Sequence, residues 1–203
     1  MTLYRDAVRV LDAWSAPDPA QEQLRGACLQ LLLRHPDAVS ASCSPDHLTA
    51  SALVVSHDHR QVLLTLHARL GRWLQTGGHC EDDRTLHRAA LREAQEESGI
   101  ADLVIDPVPV RLSRHPVPCG PLRPAHHLDV QHVCVAPVNA VAVRGEESLD
   151  LAWFGVDDLP EDSDDSVRNL VNACLVRLRH PVSTRQSSLS QEGSPAAADT
   201  PSR

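Results

Sequence analysis

Three glutamates at Glu93, Glu96 and Glu97, with Arg92 directly before them, are the residues of this 203-residue chain whose types and spacing most suggest chemistry. On a helix turning about 100° per residue the three carboxylates fall within an arc of roughly 100° and converge on one side. They repel one another, and they sit toward the C-terminal end of the run, where the helix dipole also disfavours anions. Taken alone, a solvated acidic face beside Arg88 and Arg92 accounts for them. A bound Mg²⁺ or Mn²⁺, which prefers carboxylate oxygens and keeps several waters, would offset the strain.

The flanking elements must hold that face in place. The double glycine Gly77-Gly78 closes the loop 71–78, and a helix predicted over residues 85–98 stops at Gly99. Upstream, two β-rich runs at 49–56 and 61–66 flank the polar 57–60 turn as a hairpin. Further strands are expected at 103–112, 127–136 and 148–154, and a last amphipathic helix at 165–179. The stretch 113–125, rich in proline, reads as a loop too long for a simple hairpin turn. Residues 2–35 repeat apolar positions at helical spacing with a break at Pro17 and Pro19, which predicts two helices. Beyond residue 180 the composition collapses to Ser, Ala, Gln, Pro and Thr, the signature of a disordered tail.

With these positions in view, residues 78–100 resemble the signature of the Nudix hydrolase family: Gly, five residues, Glu, seven residues, Arg-Glu, an aliphatic residue, any residue, Glu-Glu, any residue, Gly, aliphatic. Gly78, Arg92, Glu93, Ala94, Glu96, Glu97, Gly99 and Ile100 stand at matching positions. Arg84 stands where the family has its first glutamate, and Thr76 where many relatives have proline. The resemblance implies an α/β/α sandwich with a mixed sheet and a divalent-metal site that hydrolyses a diphosphate linked to another group. It implies metal ligands at Glu93, Glu96 and Glu97, catalytic residues at Glu93, Glu96 and Arg92, and a base among Glu93, Glu146 and Glu147. Asp82 or Asp83 is expected to replace the missing glutamate as the partner of Arg92.

Composition excludes several other chemistries. All 19 basic residues are arginine, so neither a P-loop lysine nor a Schiff-base lysine exists. A net charge of −8 with five Phe, Trp and Tyr residues argues against binding a long polynucleotide. A small anionic ligand bridged through a cation remains compatible with the charge. The six cysteines form no Cys-x-x-Cys pair and read as buried apolar residues. The N-terminus lacks the apolar stretch of a signal peptide and no segment is long enough to span a bilayer, so the expected compartment is the cytoplasm.

Other candidates have plainer readings. His57 and His59 suit a solvated turn better than a metal. His126 and His127 open a strand beside the 113–125 loop, where contact with substrate and a structural role are equally open. Trp73 reads as a core anchor. Between residues 146 and 165 there are nine Asp or Glu and no Arg, a soluble acidic surface that includes the late candidates Glu146 and Glu147.

The expected organisation is a helical extension at 1–46, a Nudix hydrolase domain at 47–180 and a tail at 181–203. The expected function is Mg²⁺-dependent (or Mn²⁺-dependent) hydrolysis of a nucleotide or related pyrophosphate, without nucleic acid or membrane as partner. The alternative is a Nudix-fold ligand-sensing or protein-binding module with weak turnover. Isomerisation of an isoprenoid diphosphate is disfavoured, because its acid and thiol partners have no place in the chain.

Overall fold

The computed structural model describes residues 1–40, 45–80, 82–117, 124–145 and 148–180. The expected tail at 181–203, Glu81, Glu146 and Glu147 lie outside the described residues, as do Cys43 and Cys119.

The N-terminal periodicity folds as two helices, α1 (Leu3–Ala13) and α2 (Pro19–Arg34). Their starts follow from local chemistry. Thr2 and Asp18 each accept a backbone N–H of the first turn, and Pro19 needs no donor at the first helical position. Then come β1 (His47–Val55), β2 (Gln61–His67), β3 (Trp73–Leu74) and β4 (Thr76–His79). Helix α3 (Leu86–Ser98) ends at Gly99, whose φ of 68° is the left-handed cap that glycine adopts without steric cost. The chain continues through β5 (Val104–Ile105), β6 (Arg111–Val117), β7 (Ala125–Val135), β8 (Ser148–Gly155) and α4 (Asp165–Arg179).

These strands form one mixed sheet. β1 runs parallel to β7 and antiparallel to β2 and β4, while β5 and β6 both pair antiparallel with β7, and β8 pairs with β2. Alternation divides β1 between two cores. Leu48, Ala50, Ala52 and Val54 pack with Leu11 of α1, Leu32 of α2 and Ala90 and Ala94 of α3. Leu53 and Val55 face the other way, onto Val167, Leu170 and Cys174 of α4. Three helices on one face and one on the other make the expected α/β/α sandwich.

Two expectations need correction. The run 103–112 is not one strand, because Pro107 and Pro109 cannot donate to a ladder and separate β5 from β6. The stretch 113–125 is not a single long loop either. β6 extends to Val117, and Val117 pairs with Ala125 across a hairpin. Pro116 is tolerated there because β6 pairs only with β7, leaving its other edge open. Part of that edge is covered by α2. The buried Gln21 side chain donates to the Leu112 carbonyl (3.0 Å) and accepts the Leu112 N–H (2.7 Å), in the manner of a neighbouring strand.

Candidate functional site

The site is assembled where β4 hands over to α3. β4 is fixed by its register on β1, with Ser51 opposite Gly77 and Ala50 opposite Gly78, and by the Thr76 hydroxyl donating to the Ala52 carbonyl (2.8 Å). Gly77 has a φ of 156°, and a Cβ there would meet the Cβ of Ser51 at 2.3 Å. Gly78 is required by the site itself. A Cβ at Gly78 would lie 2.8 Å from the carboxyl carbon and both oxygens of Glu93.

Helix α3 therefore lays Glu93 and Glu97, one turn apart, against the double glycine. The Gly77 N–H donates to Glu97 Oε1 (2.9 Å) while Glu93 rests on Gly78. Glu96 takes another direction. Its carboxylate is 60% exposed and accepts from Arg92 Nη1 (3.0 Å).

Arg92 is the hub. Its Nε donates to Asp83 Oδ2 (2.9 Å), its Nη1 to both Glu93 Oε1 and Glu96 Oε2 (3.0 Å each), and its Nη2 to the His79 carbonyl (2.9 Å). Partial burial works against the guanidinium's charge, but Asp83 and Glu93 outweigh it and hold the group above its ordinary range. Asp83 thus holds the motif's arginine, as expected for a stand-in for the absent glutamate. Arg84 is exposed and makes no ion pair among the described residues. It lines, with Met1, Leu3, Arg5, Asp82 and Asp83, an open hollow of about 480 Å³ beside the loop.

The arrangement gathers three carboxylates, Asp83, Glu93 and Glu96, around one guanidinium, with Glu97 held beside them by the Gly77 amide. Arg92 supplies a share of the countercharge that the sequence assigned to a bound ion. The remaining donors are all carboxylate oxygens, and Gly78 carries no side chain to displace the Glu93 carboxylate that rests on it. That donor chemistry suits a hard divalent cation such as Mg²⁺ or Mn²⁺. The three glutamates do not converge as tightly as the motif suggests. Among the described residues, the group of three metal-binding side chains with donor atoms within 4.8 Å of one another is His47, His79 and His127.

Cys80, which follows β4, is buried, and burial pushes its thiol up to about 12, with Asp129, Asp83 and Glu93 adding to the shift. It packs rather than reacts. Cys28, Cys134 and Cys174 are buried in the same way.

The other candidates resolve individually. His57 and His59 lie in the β1–β2 turn. Trp73 packs edge-on against Phe154 at 4.8 Å, as a core anchor. His126 is clasped by Asp46, which accepts both its backbone N–H (3.0 Å) and its ring nitrogen (3.1 Å). The segment leading to Glu146 and Glu147 reaches α3: a Cβ at Gly145 would lie 3.3 Å from the Glu96 carbonyl, and the Val143 N–H donates to the Ser98 carbonyl (2.7 Å).

Sequence reasoning missed a polar row on the sheet. His47, Thr49 and Ser51 of β1 lie beside His127, Asp129 and Gln131 of β7 in register. Asp129 is buried and accepts from Thr49 Oγ1 (3.1 Å), Ser51 Oγ (2.6 Å) and Gln131 Nε2 (3.2 Å). The available signal was period two. Alternate positions of β1 are polar from 47 to 51 and apolar at 53 and 55, on a strand buried throughout.

The model of the NUDIX domain family matches residues 45–174. No curated protein matches the chain. Among solved structures, a NUDIX-family hydrolase from Clostridium perfringens is 22% identical with a TM-score of 0.53, covering 63% of this chain and 95% of its own. The dihydroneopterin triphosphate pyrophosphohydrolase of E. coli is 17% identical with a TM-score of 0.53, over 64% of this chain and 95% of its own. The NUDIX domain of Shewanella oneidensis NrtR, solved with ADP ribose, is 18% identical with a TM-score of 0.52, over 64% and 87%. Identities this low establish a shared fold.

Proposed function

Since the chain belongs to the NUDIX family, we propose that it hydrolyses the pyrophosphate bond of a nucleoside diphosphate linked to another group, with Glu93, Glu96 and Glu97 as ligands of Mg²⁺ or Mn²⁺. The observation that carries this reading is the seating of Glu93 and Glu97 on the two glycines of β4, where a Cβ at Gly78 would collide with the Glu93 carboxylate. When bound, the cation would neutralise charge developing on the phosphate oxygens and ease ionisation of the attacking water.

The chain's own groups do the rest. Arg92 holds Glu93 and Glu96 through its Nη1, which donates to both carboxylates. The water oxygen attacks phosphorus, the bridging P–O bond breaks, and the proton passes to a carboxylate within reach, for which Glu93 is the best-placed described residue. Residues 143–145 pack against the end of α3; Glu146 and Glu147, outside the described residues, are further candidates for the same task by their place in the sequence.

A second reading has a specific observation in its favour. Arg92 already bridges Glu93 and Glu96, which suits a ligand-sensing module of low turnover; the NrtR domain is a NUDIX domain solved with ADP ribose. One experiment separates the two. Purified chain with Mg²⁺ is offered nucleotide sugars, dinucleotides, ADP-ribose and nucleoside triphosphates, and products are followed by phosphate release after phosphatase treatment. The hydrolase reading expects turnover that chelator abolishes and that Glu97→Gln lowers by about 100-fold or more. Binding without turnover would establish the sensing module instead.

A further inference from the structure

The face of the sheet opposite α3 carries a row of imidazoles that the motif does not use. β4, β1, β7 and β6 are successive neighbours, and each contributes one: His79, His47, His127 and His115. The registers bring them together, with His47 opposite His127 and His115 opposite His127. Alternation fixes their side. Leu48 and Ala50 pack under α3, so His47 points away, and His79 follows Gly78, whose open side meets Glu93. The rings of His47 and His127 are 4.6 Å apart, those of His47 and His79 5.1 Å, and those of His79 and His127 5.3 Å.

We propose that His47, His79 and His127 form a binding site for a borderline-soft divalent cation, Zn²⁺ by chemistry, separate from the carboxylate site. Each ring offers one nitrogen, and all three nitrogens lie within 4.8 Å of one another. Nε2 of His47 and Nε2 of His79 are 3.1 Å apart, close to the spacing of about 3.3 Å that two ligands have on a tetrahedral ion with Zn–N bonds of about 2.0–2.1 Å. The ligands sit on three paired strands, so little reorganisation is needed to close on an ion.

Donor type selects the metal. Neutral imidazole suits Zn²⁺, Cu²⁺ or Ni²⁺, whereas Mg²⁺ demands oxygen. Two residues beyond His127 along the same face, the buried Asp129 carboxylate contributes negative charge to the cation's surroundings. Three protein ligands leave a fourth position for water, for a ligand anion or for the exposed His115, whose ring is 5.4 Å from that of His127.

The test is metal uptake by the untagged full chain after chelator treatment. Zn²⁺ is titrated against a chromophoric chelator, and Co²⁺ serves as the probe of geometry through the intense visible bands of a four-coordinate ion. The expected result is one tightly bound equivalent that millimolar Mg²⁺ does not displace, and a rise in thermal midpoint with Zn²⁺. His47 is buried and its replacement threatens the fold, so the variants are His79→Gln and His127→Gln, each checked by circular dichroism. Either should weaken Zn²⁺ by more than about 100-fold, beyond the usual effect of losing an outer partner. Glu97→Gln and the double variant His57→Gln, His59→Gln should bind as the parent does. Failure to take up an equivalent, or unchanged uptake in His79→Gln with His127→Gln, overturns the proposal, as does loss of uptake in the His57 and His59 variant. The hydrolase reading stands or falls separately, on Mg²⁺-dependent turnover.

Discussion

Between Gly77 and Glu97 the chain gathers four carboxylates on one guanidinium and a glycine amide, while on β7 burial works against charging two imidazoles, His127 and His132. The first region carries fixed charge, offset locally by Arg92, and it spends two glycines to bring Glu93 and Glu97 onto β4. The second carries His127, pushed to about 3, and His132, pushed to about 4, in each case mainly by burial. His132 lies wholly inside the protein and keeps one hydrogen bond, at 3.1 Å to the Asp106 carbonyl. The lesson concerns cations. A region of net negative charge suits a hard ion that retains its waters, whereas a row of neutral nitrogens suits a softer ion that gives them up.

Acid should separate the two regions most strongly. The unfolded chain protonates His132 near pH 6.5, but the folded protein resists until about pH 4. Between those values the unfolded state therefore binds more protons, and stability falls as the pH is lowered. The loss begins at 6.5 and levels off below 4, reaching on the order of 3 kcal/mol for this residue alone. Urea unfolding at pH 7 and pH 4 measures it, and His132→Asn should shrink the difference by about that amount while His127 keeps its own share. An unchanged difference would break the account of β7 as a strand that excludes charge.

Gly78→Ala tests the other region by shape alone, because the backbone there is not left-handed. The added carbon displaces the Glu93 carboxylate. Hydrolysis should fall by about 10- to 100-fold, equivalent to about 2 kcal/mol, with zinc uptake by the adjacent His79 unaltered. Loss of both properties together would mean that the two faces are not independent.

The smallest effect is expected from Arg84→Glu. Asp83 already holds Arg92, and Arg84 is exposed, so the rate should change by less than about twofold. A large gain would place residue 84 inside the charge network and redraw the boundary between it and the solvent.

What the sequence made legible is what local rules govern. The start of α2 at Asp18-Pro19, the end of α3 at Gly99 and the turn at 57–60 each depend on a few adjacent residues. The 113–125 stretch departs from the loop its prolines suggest because the open edge of β6 accommodates Pro116 at no cost in ladder bonds. For the site, the spacing of Arg92, Glu93, Glu96 and Glu97 was readable, but the branching of Arg92 to four acceptors was not. It depends on how the 80–85 loop returns Asp83 to the helix. The histidine row was hidden more deeply. His47, His79, His115 and His127 come from four strands, and only pairing register places them together.

Helix α3 is preceded by Thr85 at the capping position, whose side chain makes no capping bond; the amide of Leu86 is instead received by Asp6 of α1, at 3.0 Å. That carboxylate is buried and anchored by Arg9 at 2.8 Å. The stretch common to the family, residues 45–174, thus borrows the first ligand of its central helix from outside itself, and a truncation that respects the family boundary would leave that helix end bare, at a cost of about 1 kcal/mol. Asp6 and its partner are eighty positions apart, so the scaffold beneath the glutamates is complete only when α1 is docked on the start of α3.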